Sequence, residues 1–522
     1  MLFFTNYSSN NGQTKSWLHE HDNRYNCYNE SLEVAGGVPV NRPNVLVKKM
    51  DQYEITTQAG ILHYNMKWLD DDKGKQKKGA FLKSIWLQTC AYLYTNKIKP
   101  TTLEWSCPGS MMEADINELD KIYNSLCKLT PIVGAKTTLA YHQNAVTEAE
   151  AVCSYALSQN FGLNSNNMFL GIDVGGSTSD ILLLAKDSDN GNKATLYRES
   201  SVRLAAGVFF NAVIKSDTFR QALLSFHEGH KTNVYVSNIK EILTEPSKAP
   251  YFLNSIFDQL KTTEDYEEFY SSIDVNAKFV FTIPAYVTGM LLYYSGMLIG
   301  KTIKAEHLER VSRVDVLSFG KGGRLFHWLI NSAGVRATRE YYADCLNAGV
   351  RLVVGKELDV VYRDEIAEDN KAEVAKGLCD PKELEKKAFS SESDICGESG
   401  VKYIMANGAP KELQAEDELT GDYFANEMNN FDFSGIENFE KFMNIFLDFV
   451  SVKTHLYPQA DNALRSDLAD LPNRIASYIC NNDTEYRKAR KSEDGSFHYH
   501  QPLIIAEGVC FLDTLIKKVF DQ

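Results

Sequence analysis

Apolar positions along this chain recur with two periods, one near 3.6 residues and one of two, and the switches between them mark its elements. Residues 81–95, FLKSIWLQTCAYLYT, carry apolar side chains at helical spacing and predict a helix; 114–129 and 146–157 predict two more. Residues 101–107 predict a short strand ending at Pro108-Gly109. In 170–184, LGIDVGGSTSDILLL, an apolar run stops at Asp173, glycines and hydroxyl residues follow, and the run resumes at Ile181. That order predicts strand, tight turn, strand.

Further on, 204–214 reads as helix and 216–275 as alternating helix and loop. A strand over 314–319 meets a second glycine turn, Gly320-Lys321-Gly322-Gly323-Arg324, and a helix over 325–332 follows. Residues 358–363 predict a strand and 372–378 a helix. Residues 436–454 and 506–519 predict amphipathic helices. Residues 1–45 show little periodicity and read as loop or a distorted piece of a subdomain, while an apolar pattern returns over 53–69. The run 70–78, DDDKGKQKK, reads as a solvated loop, and 380–420, polar and acidic, as an insertion or surface hairpin. Strands alternate with helices, so the fold class is α/β.

Composition narrows the picture. The chain has 522 residues, enough for two to four domains. A net charge of −14 argues against a protein held to nucleic acid by phosphate contacts, yet leaves room for one nucleotide in a local pocket. The ten cysteines are scattered with no Cys-x-x-Cys pair, which fits buried thiols in a reducing, cytoplasmic setting better than a disulfide framework or a zinc site. Residues 279–300 are apolar and about long enough to span a bilayer. Pro284, three tyrosines and several small residues interrupt them, so a buried helix beginning near Pro284 is expected and no membrane span.

The hairpin over 170–184 is where chemistry concentrates. A glycine turn between strands is by itself often only a turn; it also lets a backbone approach an anion and present its N–H groups. Ser177, Thr178 and Ser179 add hydroxyl groups, and Asp173 and Asp180 suit a Mg²⁺ that keeps most of its waters. No Gly-Lys-Ser/Thr follows, so it is not a Walker A loop, and a strand rather than a helix follows the glycines, so it is not a dinucleotide fingerprint. The second glycine turn opens a helix, whose first N–H groups suit an anion; Lys321 and Arg324 add charge or stacking on a purine.

The order of these motifs resembles the actin, heat-shock-chaperone and sugar-kinase ATPase superfamily, in which ATP lies between two ribonuclease-H-like lobes. Its seventy-kilodalton chaperones carry Asp-Leu-Gly-Gly-Gly-Thr-Phe-Asp as a second phosphate hairpin. Asp173-Val174-Gly175-Gly176-Ser177-Thr178-Ser179-Asp180 looks like it. Thr102–Pro108 looks like their strand before a Val-Pro-Ala turn, Glu148-Ala149-Glu150-Ala151-Val152 like the first connecting helix, Gly320–Arg324 like the adenosine turn, and Glu373-Val374-Ala375-Lys376-Gly377 like the second connecting helix. The likeness covers about 80–380.

The resemblance implies a two-lobed actin-like ATPase fold with a mostly helical C-terminal extension. It implies a small first-lobe subdomain over 1–95 and a first-lobe core with the connecting helix over 96–165. The second lobe would span 166–367, with 211–302 its small subdomain, followed by a return segment over 368–395 and the extension over 396–522. ATP with Mg²⁺ is the implied cofactor. Asp173 and Asp180 would serve the metal, Gly175, Gly176, Ser177 and Thr178 the phosphates, and Glu148 the attacking water. Gly207, Gly320, Lys321, Gly322, Gly323 and Arg324 would contact nucleotide, and Gly377 would let the connecting helices cross.

Two departures are plain: no first phosphate hairpin precedes Pro108, which reads as a chain beginning inside the first lobe, and Ala205-Ala206 stands where the chaperones have Gly-Gly. The expected function is an ATP-driven conformational switch, with partners or self-assembly through the C-terminal region. A non-hydrolysing scaffold or filament subunit and a small-molecule kinase are the alternatives.

Overall fold

The computed structural model describes residues 3–8, 14–19, 30–34, 38–40, 60–64, 72–98, 101–107, 111, 113–129, 137–139, 146–158, 163, 166–176, 178–187, 193–229, 277–363, 373–379, 385–386, 394–404, 409–418, 431–482 and 501–520. The chain divides into two compact units. One holds Met1–Cys107, Met111–Val146 and Arg220–Ser272; the other holds Pro108–Ser110, Thr147–Phe219 and Ile273–Gln522.

In the first unit, β1 (Phe3–Ser8) and β2 (Thr14–His19) form an antiparallel pair, and β3 (Glu30–Val34) pairs with β4 (Val38–Val40) and β5 (Gly60–Tyr64). Residues 1–45 are therefore not simply loop. Their strands hold Phe, Tyr, Thr and Val, which suit a pleated sheet, in runs too short for a period to register. Helix α1 (Asp72–Thr95) takes in most of the charged run expected to be loop. Lys and Gln are good helix formers, so charge there did not imply a break. The strand expected over 101–107 is split into β6 (Thr101–Leu103) and β7 (Ser106–Cys107). Helix α2 (Glu113–Cys127) and β8 (Thr137–Leu139), parallel to β6, complete the described part. Leu82, Trp86 and Cys90, one turn apart on α1, share a core with Leu119 and Leu126 of α2 and with Trp105.

The second unit follows β9 (Val146–Thr147) and is a layered α/β structure. Its chain order is α3 (Glu148–Ser158), β10 (Asn167–Val174), β11 (Ser179–Asp187), β12 (Lys193–Val202), α4 (Ala206–Val213), α5 (Asp217–Gly229, which ends in the first unit), α6 (Thr282–Ala305), β13 (Arg313–Phe319), α7 (Arg324–Ala333), α8 (Val335–Val354), β14 (Asp359–Tyr362), α9 (Glu373–Cys379) and β15 (Glu385–Lys386). Six strands form one sheet in the order β14-β13-β10-β11-β12-β15. Only β11 runs against the others: it is antiparallel to β10 and β12, while β13, β14 and β15 join in parallel.

Alternation along the strands divides the sheet's side chains between two faces. Phe169, Leu182, Leu184, Leu196, Leu317 and Phe319 share one face and pack with Ala149, Val152, Cys153 and Ala156 of α3 and with Val374 of α9. The opposite face meets α6, α7 and α8. There Ser200 reaches Tyr294 of α6, and Tyr362 stacks on Phe326 of α7 and lies against Tyr342 of α8.

Helix α6 is the apolar segment that posed the membrane question. By length and composition it is apolar enough to cross a bilayer, yet every residue from Thr282 to Gly300 is buried by protein. Gly296 and Gly349 let α6 and α8 cross at backbone contact: a Cβ on either would collide with a carbonyl of the other helix, Leu346 or Tyr293. Its outer side is covered by α10 (Glu437–Leu447), which runs into a π-helical turn (Asp448–Lys453), and by α13 (Leu503–Phe520). Tyr286 packs against Phe442, Phe446 and Phe511. Helices α11 (Ala460–Asp470) and α12 (Pro472–Asn482) lie between them in the chain and were not anticipated, nor was α8.

The polar stretch 380–420 is partly core. Ile395, Cys396, Glu398, Val401 and Leu413 are buried. The Glu398 carboxylate accepts hydrogen bonds from the Asn438 and Phe439 amides at 2.8 and 2.9 Å and so caps α10 from outside the helix. Burial pushes both Glu398 and the adjacent Glu507 of α13 above the ordinary carboxylate range.

Candidate nucleotide site

The sheet's alternation and the turn between β10 and β11 place the two candidate metal carboxylates. Asp173 and Asp180 are direct cross-strand partners, and Val174–Ser179 is the last pair before the turn. Side chains of opposed residues project from the same face, about 5 Å apart at Cβ, so both carboxylates leave the face that α3 and α9 cover. Asp173 is half-buried and Asp180 buried. The Gly175 amide donates to the Thr178 carbonyl at 2.9 Å and closes the turn. Ser177 lies outside the described residues.

The turn is braced from behind. The Ala206 and Gly207 amides, first in α4, donate to the Gly175 and Gly176 carbonyls at 3.1 and 3.0 Å. Gly207, expected to touch nucleotide, thus spends its N–H on holding the turn. The Ser179 hydroxyl donates to the Leu204 carbonyl at 2.6 Å, fixing the chain that enters α4.

The second glycine turn lies beside this hairpin because β13 is the parallel neighbour of β10 and Phe319 is the register partner of Asp173. Gly320 has φ of 68°, and a Cβ there would collide with the Asp173 carboxylate. Both conditions call for glycine. Lys321–Gly323 form a single 3₁₀ turn, and α7 opens at Arg324. Gly322 sits against Val174 and the Ala206 side chain, so turn, hairpin and the start of α4 meet at one edge. Gly323 backs onto Ser318, whose hydroxyl pairs with Tyr362 at 2.8 Å. The Lys321 side chain lies outside the described residues.

Helix α3 begins with a capping box: the Glu150 amide donates to Thr147 Oγ1 at 3.1 Å, and the Thr147 amide to Glu150 Oε2 at 3.2 Å. Glu150 is thereby committed to the helix start, while half-buried Glu148 is the helix's first residue. Gly377 of α9 packs on the Ala151 carbonyl of α3 so tightly that a Cβ would collide with it, and Lys376 lies 5.7 Å over the Tyr155 ring.

Asp173, Asp180, Gly175, Gly176, Thr178, Gly320, Gly322 and Gly323 thus lie at one end of one sheet, the carboxyl end of β10 and β13, where crevices between parallel strands form in α/β proteins, and Glu148 belongs to the same unit. At the far end of β13 Arg313, Asp315 and Arg363 form a structural charged cluster. Burial pushes Asp315 up, but hydrogen bonds from Arg313 and Asn167, with Arg363 alongside, outweigh it and hold it below the usual carboxylate range.

Among the described residues no group of three His, Cys, Asp or Glu could enclose a metal. A carboxylate pair does fit Mg²⁺, which retains waters and bridges to phosphate. Sequence reading overlooked Ser201, the register partner of Asp180 on β12. The signal was parity: Glu199 and Ser201 alternate with Arg198 and Ser200.

No family model matches this chain, and no curated protein matches it. Among solved structures, MreB5 of Spiroplasma citri bound to ADP aligns with 36% of this chain at 15% identity and a TM-score of 0.24. The chain spans about half, 47%, of that protein's length. An overlap at that TM-score carries no weight for fold or function.

Proposed function

We propose that this protein binds Mg²⁺-ATP at the β10–β11 hairpin and acts as an actin-like, nucleotide-dependent conformational switch with slow ATP hydrolysis. The observation that carries the reading is the opposed pair Asp173–Asp180 at the mouth of a glycine turn, with a second glycine turn seated directly against Asp173. The sheet supports it too: the antiparallel β10–β12, extended in parallel by β13 and β14 on one side and by β15 on the other, suit a ribonuclease-H-like core. The second lobe of a two-lobed architecture belongs to this proposal, as does a cytoplasmic setting.

In this reading each residue has a limited task. Asp173 and Asp180 hold the hydrated cation, which supplies charge neutralisation for the phosphates. Gly176 presents its backbone N–H and Thr178 its hydroxyl to the terminal phosphates, while Gly175, whose N–H closes the turn, lets the backbone come close to them. The turn of Gly320, Gly322 and Gly323, packed against Asp173, Val174 and Ser318, borders the α-phosphate and adenosine, with Arg324 against the base. Glu148 orients a water for in-line attack. α4 holds the phosphate turn rigid through its first amides, which is the pre-organisation such a site needs.

The test is equilibrium ATP binding with and without Mg²⁺. Wild type is expected to bind in a Mg²⁺-dependent way, Asp173→Ala to lose about a hundredfold in affinity, and Glu148→Ala to keep binding while losing turnover. Unchanged ATP affinity in Asp173→Ala would sink the reading.

A further inference from the structure

The carboxylate row has a third member. Asp173 on β10 is opposed by Asp180 on β11, and Asp180 in turn by Ser201 on β12, so the three side chains stand side by side on one face at the end of the sheet. Ser201 is 6% exposed, and its hydroxyl has no hydrogen-bond partner. Among the described residues it is the one buried serine of which this is true. Its neighbours show the contrast: Ser200, facing the other way, pairs with Tyr294, and Ser179 donates to Leu204. A hydroxyl enclosed and left without a partner is rare unless a bound species completes it.

The backbone around it is pinned. The Gln501 side chain accepts from the Arg203 amide at 2.9 Å and donates to the Ser201 carbonyl at 3.5 Å. These contacts tie the end of β12 to Gln501.

Resting on the Mg²⁺-ATP reading above, we infer that Ser201 is a positioning residue of that site. Its hydroxyl hydrogen-bonds a water shared with Asp180 in the hydration shell of the divalent cation. The Ser201 hydroxyl makes no direct bond to the opposed Asp180 carboxylate, and a bridging water between them would satisfy both.

The experiment is a Mg²⁺ titration of ATP binding in the full chain, by calorimetry, for wild type, Ser201→Ala, Ser201→Thr and Asp173→Ala, with thermal midpoints taken without nucleotide. Ser201→Ala is expected to raise the half-saturating Mg²⁺ about tenfold, with its midpoint unchanged, and Ser201→Thr, which keeps the hydroxyl, to restore the wild-type value. If Ser201→Ala titrates like wild type while Asp173→Ala loses binding, the Ser201 role is wrong and the site stands. A lowered midpoint in Ser201→Ala that Ser201→Thr does not rescue means a packing role and overturns it equally. If wild-type binding ignores Mg²⁺, or Asp173→Ala binds as wild type, both readings fall together.

Discussion

On one face of the central sheet Asp173, Asp180 and Ser201 stand in a row beside α3 and α9; on the other, Ile172, Ile181 and Ser200 stand at the adjoining positions under α6, α7 and α8. The same three strands supply both sets, one residue apart. The first face is covered by two helices that meet through Gly377 and Ala151, with small side chains against the sheet. The second is backed by an aromatic layer and then by α10 and α13. Bringing Asp180, the half-buried Asp173 and the Ser201 hydroxyl out of water costs the edge that holds them desolvation energy. The thick apolar face offsets that cost, and the division lets this polar edge exist in a stable unit.

Three changes break or sharpen this contrast. The largest effect is expected from Gly349→Val, which would force α8 off the α6 backbone and cost about 5 kcal/mol, or prevent folding. Denaturant unfolding measures it, and a loss under about 1 kcal/mol would mean that the crossing is looser than described. Next comes Gly377→Val, which would part α3 from α9. A cost of about 2–3 kcal/mol is expected, together with weaker ATP binding per folded molecule, because Glu148 moves with α3. Stability lost without any change in binding would separate that helix pair from the site.

The smallest effect concerns pH and the aromatic face. Asp394 lies against Ser200 and Tyr294, and burial pushes its carboxyl up to about 7. An unfolded aspartate titrates near about 4, so between these values the folded state keeps a proton that the unfolded chain has released. Its contribution to stability is complete below about pH 4 and is lost as pH rises toward 7. Asp394→Asn should flatten that part of the decline in thermal midpoint from pH 4 to 7 relative to wild type. Parallel wild-type and variant profiles would show that Asp394 titrates normally.

Much of the site could be read from the chain because its determinants are local. A two-residue period fixes which side chains oppose each other once a short turn sets the register, so Asp173, Asp180 and their glycines were visible as a group. Ser201 needed the third strand, whose register no local pattern supplies. Helix α8 carried its signal openly, with Thr338, Tyr341, Tyr342, Cys345, Leu346, Gly349 and Val350 at helical spacing and buried; the interspersed charges drew attention away from the period. The stretch around Glu398 was illegible for a different reason. Composition does not distinguish a solvated carboxylate from one that caps a helix forty residues further on. The charged start of α1 makes the same point with lysines.

The burial of α6 also has a consequence for how the chain is made. Its 24 residues span about 36 Å as a helix, the thickness of a bilayer's apolar core and slightly more. The helices that cover its outer side, α10 and α13, begin only at Glu437 and Leu503. At about 5–20 residues per second, synthesis leaves α6 outside the ribosome for on the order of ten seconds or longer before its cover exists. During that interval a nascent chain displays what a membrane-insertion machinery selects for, and the order of translation, rather than the finished fold, sets how long it must be shielded.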